Sequence, residues 1–126
     1  MSPRQITVLG ECVADAFAEP VNASNELALR VLPGGGPANT AVALARLGTP
    51  ARFLARLSGD VFGRLFRAHL EASGVDLSHA VSAAEPSTLA VAELDATGQA
   101  AYSFHAQNTA DWQWTPGELA AVDLSG

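Results

Sequence analysis

Two short segments carry residue types suited to chemistry on a polyhydroxylated ligand. Gly34-Gly35-Gly36-Pro37-Ala38-Asn39 is a glycine turn running into a proline and then a helix-forming stretch. With no Cβ atoms in the way, the backbone N–H groups of such a turn approach a ligand closely, and the helix that follows aims its positive dipole end there. With Gly36 as cap and Pro37 as first helical residue, Asn39 falls in the first turn, where its amide both donates and accepts hydrogen bonds. A polyol suits that set. The spacing fits equally a plain strand-to-helix turn that needs glycine only for its backbone angles. A dinucleotide fingerprint, G-x-G-x-x-G, fails because Asn39 stands at its third glycine.

The second segment is Gly10-Glu11-Cys12-Val13-Ala14-Asp15. Open α/β sheets take their ligands just beyond the carboxyl ends of their strands, and an aspartate there accepts two hydrogen bonds from neighbouring hydroxyls. Such a site favours a sugar over an analogue lacking the hydroxyls. The alternative is Asp15 as a solvated turn residue, with Glu11 pairing an arginine. Asp60, after Ser58-Gly59, reads as a helix cap. His69, His79 and His105 show no metal-ligand spacing, and Cys12 reads as a buried, inert thiol. Tyr102, Phe104, Trp112 and Trp114 cluster late in the chain; they suit an apolar wall over a sugar face or, more commonly, core and hairpin packing.

The elements that must position these residues follow from apolar patterning. Ile6 to Leu9 reads as a buried first strand, with a charged turn after Gly10. Leu27 to Leu32 alternates imperfectly and stops at Pro33, which predicts a half-exposed strand entering the glycine turn. A helix follows from Pro37 to Gly48, with Ala41, Leu44, Ala45 and Leu47 as its apolar face. Arg52 to Leu57 is the next strand, and Asp60 caps a helix on Phe62, Leu65, Phe66, His69 and Leu70 that ends at Gly74. Strand, helix, strand, helix is an α/β order with a mainly parallel sheet. Ser87 to Leu94 and Ala100 to Phe104, around Asp95-Ala-Thr-Gly98, predict an antiparallel hairpin. Thr115-Pro116 with Glu118 marks one more helix start.

The chain of 126 residues has a net charge of −6, which gives phosphate backbones and anionic lipid no electrostatic footprint, so nucleic acid and membrane surfaces are excluded as expected partners. All seven cationic side chains are arginine, and without lysine neither Schiff-base chemistry nor a Walker P-loop is available. One cysteine closes no intrachain disulfide, no signal peptide is evident, and no apolar run reaches the ~20 residues of a membrane span. A soluble, cytoplasmic protein is expected.

The order of these pieces resembles the N-terminal part of the ribokinase-like (PfkB) carbohydrate kinase family. It runs from Gly10-Glu11 with Asp15, through Gly35-Gly36-Pro37-Ala38-Asn39 and its helix, to Ser58-Gly59-Asp60-Val-Phe-Gly63. Leu70-Glu-Ala-Ser-Gly74-Val-Asp76 and Pro86-Ser87-Thr88, with Asp95 and Gly98 in the turn beyond, complete it. Ser58 stands where the family's first signature closes on glycine. Glu11, where ribokinases proper usually carry serine, resembles the fructokinase and 2-keto-3-deoxygluconate kinase branch. The resemblance implies an α/β, ribokinase-like fold, a mainly parallel sheet with flanking helices plus a small β-lid, of which residues 1–126 form the N-terminal half. Lid strands are implied near residues 16–32 and 88–105. It also implies transfer of the ATP γ-phosphoryl group, with Mg2+, to a sugar hydroxyl, the sugar being held by Asp15, Gly35, Gly36 and Asn39. The family's second signature, an Asp-Thr-Gly-Ala-Gly-Asp type segment with the anion hole and catalytic Asp, has no match here. No catalytic residue and no ATP or Mg2+ binding are therefore expected of this chain alone, which reads as a truncated or split kinase. Its expected partners are a small sugar and either a second copy through the lid or a C-terminal half. A non-catalytic sugar-binding or lid-type association module and, remotely, a nicotinamide-dependent oxidoreductase are the alternatives.

Overall fold

The structure, a computed structural model, describes residues 4–125. Its centre is the run Ala51 to Ser58, all eight residues of which are buried. It forms β4 (Ala51–Leu54) and β5 (Arg56–Ser58), separated by Ala55, where sequence reading predicts one strand. The first strand, β1 (Ile6–Leu9), pairs parallel with β4, and β6 (Val81–Ala83) pairs parallel with β5. Parallel strands covered on both faces read as near-continuous apolar runs. Here two arginines interrupt the run, and each is satisfied where it is buried. Arg52 Nε donates to Thr7 Oγ1 (3.2 Å), and Arg56 pairs with Glu85 (2.9 Å) and Glu118 (3.1 Å).

Two helices cover this layer. The first, α1 (Gly36–Arg46), packs on β1 and β4, and α2 (Val61–Ala72) packs on β5. The cap of α1 is Gly35, one residue earlier than the sequence suggests, so Pro37 stands at the second helical position. The buried face is Ala38, Ala41 and Val42, whereas Leu47 caps the C-terminus and points to solvent. Alanine on several faces dilutes the periodicity and hides which stripe is buried. In α2 the expected cap is present, Asp60 Oδ1 accepting from Gly63 N–H at 2.8 Å, and Phe66 and Leu70 are buried. A Cβ on Gly63 would lie 1.7 Å from the Ser58 carbonyl oxygen, so glycine allows the helix to sit directly on the end of β5.

A second sheet stands apart from the first. It is built from β2 (Val13–Ala18), β3 (Leu29–Gly34), β7 (Leu89–Leu94) and β8 (Ala100–His105), in the order β3-β2-β7-β8. The β2–β7 pair is parallel and the outer pairs are antiparallel. Sequence reading takes Gly10 to Asp15 as a turn and implies lid strand only from residue 16; the strand already begins at Val13, and its Ala14 and Ala16 are fully buried. Alanine has little β propensity, so Val-Ala-Asp-Ala-Phe-Ala gives a weak alternation signal. Strand β3 begins later than expected and runs on through Pro33 to Gly34. A proline is tolerated there because β3 is an edge strand. Residues 19–28 between β2 and β3 are not strand. A 3-10 turn at Ala110–Trp112 and α3 (Pro116–Ala120), opened by a Thr115–Glu118 capping box, complete the described chain.

Candidate functional site

The two sequence segments meet where the parallel layer joins the second sheet. The Gly10 to Cys12 turn leaves β1 and the Gly34 to Gly36 turn leaves β3, and the two pack backbone to backbone. A Cβ on Gly35 would come within 2.8 Å of the Glu11 carbonyl oxygen, and one on Gly10 within 2.3 Å of the Pro37 ring. Gly35 also sits at φ +98°, a conformation that favours glycine. Gly10 and Gly35 are thus required by space or backbone angle, and a Cβ on Gly34 would displace the Asp15 carboxylate. At Gly36 a Cβ would meet nothing within 4 Å, so the turn opens outward there.

Asp15 lies in the middle of β2, not in the turn beyond β1, with Leu32 and Ala90 as its cross-strand partners. The absent side chain of Gly34 leaves the space its carboxylate fills. Side chains alternate along a strand, so Asp15 and Phe17 share a sheet face, together with Ala90, Ala92 and Tyr102 of the register. These residues and Ala16 line a recess of about 170 Å³. Tyr102 and Phe104 stack with centroids 6.1 Å apart and are 62% and 70% exposed, which overturns core packing as their use. Trp112 is likewise exposed. Asn39 is exposed on α1, and its backbone N–H donates to the Gly35 carbonyl at 2.9 Å, so only its side chain is available to a ligand.

Cys12, between the two segments, is buried as expected. Burial pushes its thiol up to about 12, with the Asp111 and Asp15 carboxylates adding to the rise. It holds its proton at neutral pH and makes no nucleophile. Sequence reasoning misses a neighbouring polar cluster of Thr88, Thr109 and Asp111, all buried. Thr88 Oγ1 is 2.8 Å from Asp111 Oδ1 and 2.6 Å from Thr109 Oγ1. The partners are 21 and 23 residues apart, and no local pattern announces such a contact. Asp60 also does more than cap α2. Its Oδ2 accepts from Ser87 N–H (2.8 Å) and its Oδ1 from the Ser87 hydroxyl (2.7 Å), so it ties α2 to the entry of β7.

A nucleotide with its metal fits these residues poorly. The N-terminus of α2 is already filled by the Asp60 carboxylate, and α1 begins Gly-Pro, with one N–H fewer for a phosphate. No group of three or more His, Cys, Asp or Glu among the described residues is placed to hold a metal ion. The glycine turn also leaves an antiparallel edge strand, unlike the parallel βα turn of a dinucleotide fold.

Known proteins share this arrangement. A family profile for the pfkB family carbohydrate kinases matches residues 3–125. Fructokinase from Klebsiella pneumoniae is 35% identical over 116 residues, which is 91% of this chain and 36% of that protein. Fructokinase-1 of Oryza sativa subsp. japonica is 42% identical over 88 residues, 69% of this chain and 27% of that one. The crystal structure of fructokinase from Xylella fastidiosa superposes with a TM-score of 0.84 at 32% identity, covering 91% of this chain and 37% of that one. The chain thus spans between 27% and 37% of the length of these relatives, less than the half that the sequence suggests. With the family profile matching nearly the whole chain and fructokinases matching in both sequence and fold, the chain belongs to the pfkB family of carbohydrate kinases, in its fructokinase-like branch.

Proposed function

We propose that this chain is the sugar-binding, N-terminal portion of a fructokinase-like kinase. Asp15 accepts two sugar hydroxyls, Gly35 and Gly36 let the backbone close on the sugar, and the Asn39 amide reads a further hydroxyl. The observation that carries this reading is the Asp15 carboxylate, seated in the space left by Gly34 and bordering a recess beside the open glycine turn. A carboxylate that already borders the recess needs little movement to receive two hydroxyl donors. In this reading the four-stranded sheet is a lid over the sugar, and closing it excludes water that would compete as phosphoryl acceptor.

The complete kinase would take ATP, the nucleotide bound in the Xylella fastidiosa fructokinase crystal structure; Mg2+ would accompany it, and the enzyme would act in the cytoplasm. This chain alone would transfer no phosphate, because positioning and charge stabilisation supply nearly all of that catalysis and the residues described do not supply them. The exposed aromatic face of the lid sheet suits a second copy of the chain as partner.

Thermal melts with and without D-fructose test the reading. Fructose should raise the melting temperature of the wild-type chain and leave that of Asp15→Ala unchanged, while ATP shifts neither. Equal shifts in the two proteins would remove Asp15 from the site, and ATP-dependent fructose phosphorylation by the purified chain would overturn the incomplete-site argument.

A further inference from the structure

The hairpin of β7 and β8 stands on two feet, Thr88 before β7 and Ala106 to Asp111 after β8, and the contacts between the feet are buried. Thr88 Oγ1 is 2.8 Å from Asp111 Oδ1 and 2.6 Å from Thr109 Oγ1, and Thr109 Oγ1 is 2.9 Å from the Ala106 carbonyl oxygen. Each of these three oxygen-to-oxygen contacts needs one proton. The two threonines bring one each. With Asp111 ionised, Thr88 donates to it and one contact is left with lone pairs alone: the two hydroxyls at 2.6 Å if Thr109 donates to Ala106, or Thr109 and the Ala106 carbonyl at 2.9 Å if Thr109 donates to Thr88.

A neutral Asp111 supplies the missing proton and gives the chain one direction. Asp111 Oδ1–H donates to Thr88 Oγ1, the Thr88 hydroxyl to Thr109 Oγ1, and the Thr109 hydroxyl to the Ala106 carbonyl. Asp111 Oδ2 is buried without a hydrogen-bond partner. Such isolation costs a neutral carbonyl oxygen far less than it costs an ionised carboxylate. The net effect of the surroundings has the same direction: burial pushes the Asp111 carboxyl above its ordinary range, the Thr88 contact and Asp111's own backbone N–H offset part of this, and Glu11 adds to the rise. Cys12 and Asp15 bring no cation from β2 and its entry turn. Asp60, beyond Ser87, is a further carboxylate. Arg56 of β5 reaches the Ala110 carbonyl, but its charge is taken by Glu85 and Glu118.

We propose that Asp111 is a proton-bearing positioning residue: its O–H starts the hydrogen-bond chain that latches the two feet of the β7–β8 hairpin, and loss of that proton unlatches the hairpin. Thr88 also accepts from Ala14 N–H through its carbonyl oxygen (3.0 Å), so the latch holds the strand that carries Asp15. Its bearing on sugar binding rests on the function proposed above; the latch itself does not.

Residue-resolved carboxyl 13C shifts and amide exchange of the whole chain, followed from acid to mildly alkaline pH, test this without any sugar. Asp111 should titrate above the ordinary value of 3.8. Across that interval the protection of β7 and β8 amides should fall about tenfold for each pKa unit of the shift. Asp111→Asn offers a permanent N–H to Thr88, so its hairpin protection should not depend on pH. Titration of Asp111 at or below the ordinary value would overturn the proposal, as would an unchanged pH slope in Asp111→Asn. The wild-type titration alone decides if that variant does not fold. A failed fructose response leaves these readouts untouched, so the two proposals fail separately.

Discussion

Asp60 and Asp111 are carboxylates in one protein with opposite electrostatic fates. At Asp60 burial works against the charge, but hydrogen bonds from Ser87 and Gly63 outweigh it and hold the carboxyl below its ordinary value. A depressed folded pKa contributes stability that is fully present above the unfolded value and is lost as pH falls through the folded one. Asp60 should therefore help hold the fold at neutral pH and release it in acid, below about pH 4. Asp60→Ala should cost about 1–2 kcal/mol for the cap, with more for the Ser87 groups left unpaired, and urea melts at neutral pH measure it. The gap between Asp60→Ala and wild type should close in strong acid. Asp60 was legible as a cap because the signal is local, an aspartate opening a run at helical spacing. Its second task was not, since Ser87 lies 27 residues on.

At the scale of elements, what was legible is what repeats along the chain. β1, the two helices, the hairpin around Asp95 and the Thr115 cap all announce themselves through apolar spacing or a capping residue. β2 did not, because its buried face is alanine and its outward residue is the acid that made it look like a turn. The site followed the same division. Candidate residues could be proposed from the glycine turn and Asp15, but the strand that carries Asp15 could not. The ties between distant elements were also silent in the sequence. Arg56 joins β5 to Glu85, to the Ala110 carbonyl and to Glu118 at the start of α3. Removing one partner of such a buried cluster leaves its polar groups uncompensated. Arg56→Ala should speed amide exchange in residues 110–121 well before it affects β1 and β4. Uniform acceleration across the chain would show that the cluster is not a local tie.

For the whole molecule, the apolar surface is the main physical issue. Tyr102, Phe104, Leu94, Leu32 and Phe17 are exposed on the four-stranded sheet, and Ile6 and Leu9 on the parallel layer. Monomeric proteins rarely leave contiguous apolar faces of this kind uncovered. The lid-dimer reading predicts concentration-dependent self-association in sedimentation velocity, weakened by Phe104→Lys. The fold should be unaffected, because Phe104 is already exposed and lies on an edge strand. A monomer at all concentrations would leave the aromatic face to another partner.

The central claim is that Asp15 and the glycine turn together hold a sugar. Amide chemical-shift mapping of the chain during a D-fructose titration tests it most directly. The account predicts saturable shifts confined to residues around Asp15, Gly34 to Asn39 and the recess beside Tyr102, all abolished in Asp15→Ala. No saturable shift, or shifts elsewhere that persist in Asp15→Ala, would contradict it.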